Sequence, residues 1–276
     1  MPRHPDRQLE RLSQPVAARL LAASGTAVIA SGSVEQHGGH LPLGTDAFAA
    51  LSIAERVAFR LDTVVAPLGP IGVAPYHRSW PGSLSLSPTT LSAVMVDVCA
   101  ALRRAEVSRI VLINWHEGNS PTLRLATAQA QQRSGLQIVV AEAHVITHSL
   151  FPDEMEFTHA GSMETAAMLA YEPGLVRLDR KTEASDFTSG QAAHELFRRP
   201  DVYAVPRDFH EIAPTGWYGH PERAEAGRAE EVAEAVADHV VRRAREIWAM
   251  LGAGDEPALD ATAGNGVSTA TAGADQ

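Results

Sequence analysis

The chain has 276 residues, 45% of them hydrophobic and 20% charged, and carries a formal net charge of −10. That length can bury one large α/β core or two small ones, and the acidic balance argues against nucleic acid and anionic membrane as main partners. A single cysteine, Cys99, excludes an intramolecular disulfide framework. No apolar run approaches the roughly 20 residues of a spanning helix and no signal-type region follows Met1-Pro2-Arg3, so the chain reads as cytoplasmic.

Taken in order, Leu9, Leu12, Val16, Leu20 and Leu21 give residues 8–22 a helical spacing broken at Pro15. Thr26-Ala27-Val28-Ile29 reads as a buried strand. It runs into a glycine-rich stretch bearing Glu35, His37, His40 and Asp46. A helix is predicted from Ala47 to Arg60, and Asp46 at its start suits either an N-cap or a ligand. Thr63-Val64-Val65-Ala66-Pro67 is a second strand, followed by a Gly- and Pro-rich loop through Gly82 whose length points to a binding or lid role. Ser87-Pro88 signals the start of a helix with a buried stripe of Leu91, Val94, Met95, Val98 and Leu102, and Cys99 falls among its core residues. Arg109–Asn114 is the clearest strand, with a polar loop and a helix from Pro121 after it. Leu136–Val140 is a further strand, with Glu142, His144 and His148 just beyond. A helix is predicted through about Leu169, irregular chain with a short strand near Val202–Val205 over 175–223, a long helix over 224–251, and a disordered tail over 253–276. The strand–helix alternation predicts a three-layer α/β fold, a mostly parallel sheet flanked by helices, in one domain over residues 1–252.

Sites in such sheets form at the carboxyl ends of strands. Glu35, His37, Asp46 and His116 come from two such ends, and glutamate, histidine and aspartate together suit zinc, manganese or iron. A bridging carboxylate could hold two divalent metals. His159 precedes the helix that carries Glu164: the pair reads either as a surface histidine with a first-turn acid or as a general acid with a metal-binding or orienting carboxylate. His77, His144 and His148 are weaker pocket candidates, and Trp80 reads as a loop anchor or a pocket wall. His4, His194, His210, His220 and His239 read as surface or structural. No Walker lysine, GxGxxG pattern or Gly-x-Ser-x-Gly elbow is present.

The segments Gly32–Asp46, His77–Ser83, Asn114–Asn119 and His159–Thr165 resemble, in order, the four signature blocks of the creatininase family. The resemblance implies a single α/β domain, a homo-oligomer (a hexamer in the family) and two divalent metals. Carried over by position, Glu35 and His116 would bind one metal and His37 the other, with Asp46 bridging and His159 catalytic. The family's metal-binding glutamate in the third block falls on Gly118, with Glu117 one residue early, so Glu164 is preferred over Glu117 to complete the metal site. Trp115 replaces a glycine and would intrude on substrate space, while His144 and Met155 replace two tryptophans that enclose creatinine. These departures set the chain apart from creatininase itself.

The expectation is an amidohydrolase that cleaves a non-peptide C–N bond of a small polar amide by attack of a metal-held hydroxide, with His159 protonating the departing nitrogen. Glu156 or Glu164 would orient the His159 ring, and His77, Trp80, Trp115, Glu117, His144 and Glu156 would contact substrate. The family also holds a peptidase of a cofactor precursor and deformylases; a non-catalytic, metal-stabilised homologue is the alternative of another class.

Overall fold

A computed structural model describes residues 4–252; the predicted tail lies outside the described residues. Four strands, β1 (Thr26–Ser31), β2 (Val65–Pro67), β3 (Arg109–Asn114) and β4 (Gln137–Glu142), form a parallel sheet in the order β2-β1-β3-β4. Helix α1 (Gln14–Ser24) precedes β1, and the crossovers that parallel neighbours need are supplied by α2 (Thr45–Arg60), α3 (Pro88–Arg104) and α4 (Ser120–Ser134). The remaining helices are α5 (Ala143–Leu150), α6 (Ser162–Tyr171), α7 (Phe187–Arg198) and α8 (Ala226–Met250).

Alternation along β1 and β3 divides the core. Ile29, Ile110 and Leu112 pack with Leu91, Met95, Leu102 and Leu123 of α3 and α4. Val28, Val111 and Ile113 pack with Ile53, Val57, Met163, Val236 and Trp248 of α2, α6 and α8. Helices therefore cover both faces, which is why the two central strands read as unbroken apolar runs.

Register sets up the site. Ser31 lies beside Asn114 and Asn114 beside Glu142, so three strand ends finish level and their loops emerge together. Pro15 sits in the first turn of α1, where its missing N–H costs nothing, and the residues before it form a separate short 3₁₀ turn, Leu9–Arg11. Val202, Tyr203 and Val205 form no strand: they are exposed, and the segment before them is helix α7.

One polar staple joins α2 to α8. Arg56 is fully buried, donating to Ser52 O and Oγ and pairing with Glu230 at 2.6 Å and Glu234 at 3.1 Å. Arg56→Met removes the buried cation of this cluster, while Glu234 keeps Arg60, and is expected to cost about 3 kcal/mol, lowering Tm by about 6–12 °C in a thermal melt.

Candidate metal centre

The loop after β1 folds back because Gly32 allows it: a Cβ there would fall 2.3 Å from the Ala47 amide nitrogen. Glu35 N–H donates to Leu43 O at 2.8 Å and closes the loop, and Thr45 Oγ1 donates to Pro42 O at 2.7 Å where α2 begins. Asp46 does not cap that helix. Its carboxylate turns inward and accepts from Ser33 Oγ at 2.9 Å.

There it meets side chains from three other elements. His116, just past β3, brings Nδ1 to 2.9 Å from Asp46 Oδ2 and Nε2 to 3.4 Å from Glu35 Oε2. His37 Nε2 lies 3.3 Å from Asp46 Oδ1 and 3.7 Å from Glu164 Oε2, on the first turn of α6. Two buried donor sets result, Glu35–Asp46–His116 and His37–Asp46–Glu164, each with one atom per residue all within 4.8 Å. They share Asp46. Glu35, His37 and His159 make a third such group.

Crowding so many charged groups without water sets their protonation. Burial would lower His37, but Asp46 and Glu164 overcome it and push the ring up to about 10; Glu35 and Asp46 likewise raise His116 to about 9. Burial would raise Asp46, yet His37 and His116 hold it well below the usual carboxylate range. Burial prevails at Glu164, which rises to about 7. Glu35 Oε2 and His37 Nε2 are buried without a hydrogen-bond partner. Orphaned donor atoms on residues that suit hard or borderline cations, grouped at ligand spacing, fit a pair of divalent metals.

A layer of uncharged polar groups supports the cluster. Asn119 Nδ2 donates to Gly32 O at 2.8 Å and its Oδ1 accepts from Val73 N–H at 2.8 Å, tying three loops together. Gln36 was not foreseen as a site residue. Its amide nitrogen lies 2.7 Å from Gly216 O and 3.2 Å from His77 Nδ1, while His77 Nε2 faces Glu35 Oε1 at 3.3 Å. The His159 ring is held by the Gln36 backbone, its Nε2 lying 2.8 Å from that carbonyl, and sits 4.5 Å from the His37 ring. Burial, then the neighbouring His37 and His77, keep His159 well below its ordinary value and hence neutral. Ala160 follows with φ of 55°, a left-handed turn that aims its N–H at the Glu164 carboxylate.

The cluster opens onto a cavity of about 360 Å³, walled by His77, Trp115, Glu117, His144, His159 and Glu164 among others. Two expected contacts are absent from its lining. Trp80 instead stacks on His210 at 4.4 Å, anchoring its loop. Glu156 is drawn away by His220 Nδ1 at 2.7 Å and Arg223 at 2.6 Å, so it does not orient His159; Glu164 does not either, its carboxylate being engaged by Ala160 N–H and His37. Glu117 stands outside the donor sets, bonded to Arg198, which overcomes burial and lowers it to about 2. His40 turns to Ala160 O at 2.8 Å. His194, read as surface or structural, lines the cavity, together with Arg198 of the same helix.

The family model described as creatinine amidohydrolase matches residues 10–244. The chain belongs to the creatininase family. It is 30% identical to creatinine amidohydrolase of Pseudomonas putida over 59% of this chain and 70% of that one. It is 29% identical to a mycofactocin precursor peptide peptidase of Mycobacterium ulcerans (strain Agy99), over 86% and 92%. A solved structure titled "Creatininase Mn" superposes with a TM-score of 0.69 at 25% identity, covering 87% of this chain and 98% of that one. One departure of this creatininase-family chain has a backbone basis. At Gly118 a Cβ would lie 2.5 Å from both His116 Nε2 and Val73 O, so the loop as folded admits no side chain there. Gly118→Ala is expected to push His116 off the cluster and weaken metal affinity about 10- to 100-fold, read by titration against a competing chelator.

Proposed function

We propose that the chain is a metal-dependent amidohydrolase that cleaves a non-peptide C–N bond, cyclic or linear, in a small polar amide. The observation that carries this reading is the pair of buried donor sets sharing Asp46 at the floor of one cavity. In this reading Glu35 and His116 hold one divalent ion, His37 and Glu164 hold another, and Asp46 bridges them; zinc, manganese and iron all accept such oxygen and nitrogen donors. Bound there, the metals supply Lewis-acid polarisation of the carbonyl and a lowered pKa for water. His159 moves the proton to the departing nitrogen, with its ring fixed by the Gln36 carbonyl rather than by a carboxylate. Trp115, His77 and His144 limit the size and orientation of the amide, and Asn119 keeps the donor loops in register. The enzyme works as a cytoplasmic homo-oligomer, a hexamer by likeness to its family.

A second reading has one specific support: the mycofactocin precursor peptide peptidase match spans 86% of this chain, more than the amidohydrolase match does. Protein stripped by 1,10-phenanthroline and assayed on lactams, formamides and dipeptides is expected to lose activity and regain it with zinc, manganese or ferrous iron. Turnover indifferent to chelation overturns the metal-dependent reading, and turnover of dipeptides alone selects the peptidase.

A further inference from the structure

We propose that Arg198, whose side chain lines the same cavity as the metal donor sets, is the receptor for a substrate carboxylate. The amides taken by this site are then anionic, of the N-acyl amino acid type. The inference rests on the amide-hydrolysing reading above and narrows it.

Arg198 comes from the end of α7, yet its guanidinium is seated in the body of the protein. Nη1 donates to Phe157 O at 3.0 Å, and its carbon lies 3.9 Å over the Phe157 ring. The side chain is 20% exposed. Its remaining edge, Nε and Nη2, carries a fork of donors that meets the Glu117 carboxylate at 2.8–3.1 Å. Such a planar fork matches a carboxylate in two-point contact, which a lysine could not reproduce.

Glu117 is the more exposed partner. Its side chain is 44% exposed, and beyond Arg198 it faces His194 Nε2 at 3.9 Å, a ring that burial lowers to about 3 and so leaves neutral. It stands on the short turn that follows His116, at the cavity rim, with solvent to move into. An incoming carboxylate that takes the same fork leaves the guanidinium paired, so one charge-assisted contact replaces another while the Glu117 carboxylate moves into solvent. Arg198 stays because its other edge and its face are already occupied. Glu117 is the group that leaves, and in the free protein it keeps the guanidinium paired and correctly turned.

The surroundings suit the rest of such a ligand. Phe197, Tyr203 and Val205 line the outer cavity beside Arg198 and give an apolar side chain a wall. The same cavity is lined by His144, whose buried Nδ1 has no hydrogen-bond partner, and by the donor sets where the amide itself would be attacked. The three branches on the α-carbon of an N-acyl amino acid, a carboxylate, an apolar side chain and an acyl amide, match the three kinds of group that line this one cavity.

The test is calorimetric binding of N-acetyl-L-phenylalanine against its uncharged amide, N-acetyl-L-phenylalaninamide, to the protein as purified. The wild type is expected to prefer the acid. Arg198→Gln should lower that preference about 10- to 100-fold, the range of one lost charge-assisted contact, and Glu117→Gln should raise it by removing the internal competitor. Opposite effects on one ratio are the signature. If both variants shift acid and amide alike, the pair merely latches α7 and the proposal fails; if the preference survives Arg198→Gln, the carboxylate is recognised elsewhere and it fails equally. The readout is binding, so the signature without turnover would leave this assignment standing while the amidohydrolase reading fell.

Discussion

Asp46→Asn is expected to lower turnover by about 1000-fold or more, since the shared carboxylate underlies charge stabilisation worth about 4 kcal/mol. Its two oxygens face different histidines, Oδ1 toward His37 at 3.3 Å and Oδ2 toward His116 at 2.9 Å. An amide in that place has one acceptor instead of two, removes a charge common to both donor sets, and turns an N–H₂ toward one ring. Metal content should fall for both ions together, whereas a change at Glu164 touches only one donor group. Elemental analysis of the purified variant checks this. Loss of a single equivalent would show that Asp46 serves one ion only.

His159→Ala carries the other large effect, a fall in turnover of about 10²- to 10⁴-fold, the range for a positioned proton-transfer group. Its expected signature is selective: metal content stays as in the wild type while the chemical step is lost. The ring is buried at the cavity wall between His37 and His77 and packs against Phe209 at 4.6 Å, so truncation also removes some packing. His159→Gln separates the two contributions. It refills most of the volume and can keep a donor toward the Gln36 carbonyl, so it should restore Tm without restoring turnover. Recovery of turnover in the glutamine variant would assign His159 a packing role.

The parts of the fold that the sequence reveals are those built from local order. Arg109–Asn114 is read to the residue as a strand because Ile110–Ile113 is an unbroken apolar run closed by a polar residue at each end. Ser87 is read as a cap, and its Oγ accepts from Thr90 N–H at 3.1 Å. The donor residues are similarly visible, since Glu35, His37 and Asp46 crowd one loop and His116 ends the neighbouring strand. What escapes the sequence is held together over long separations. Helix α7 has only a short stripe, Phe187, Ala193 and Phe197, packed on Phe209, Ile212 and Tyr218, and Gly190 within it weakens the helical signal. Arg198 reaches Glu117 across 81 positions, and Gln36 reaches Gly216 across 180. No periodicity announces such pairs. Glu156 illustrates the converse error: its sequence position near His159 suggested an orienting role, but His220 and Arg223, brought in by a distant segment, claim its carboxylate.

The most direct measurement is anomalous diffraction from crystals soaked in manganese. The account predicts two peaks per chain, one among Glu35, Asp46 and His116 and one among His37, Asp46 and Glu164. A single peak, or peaks away from Asp46, would contradict it.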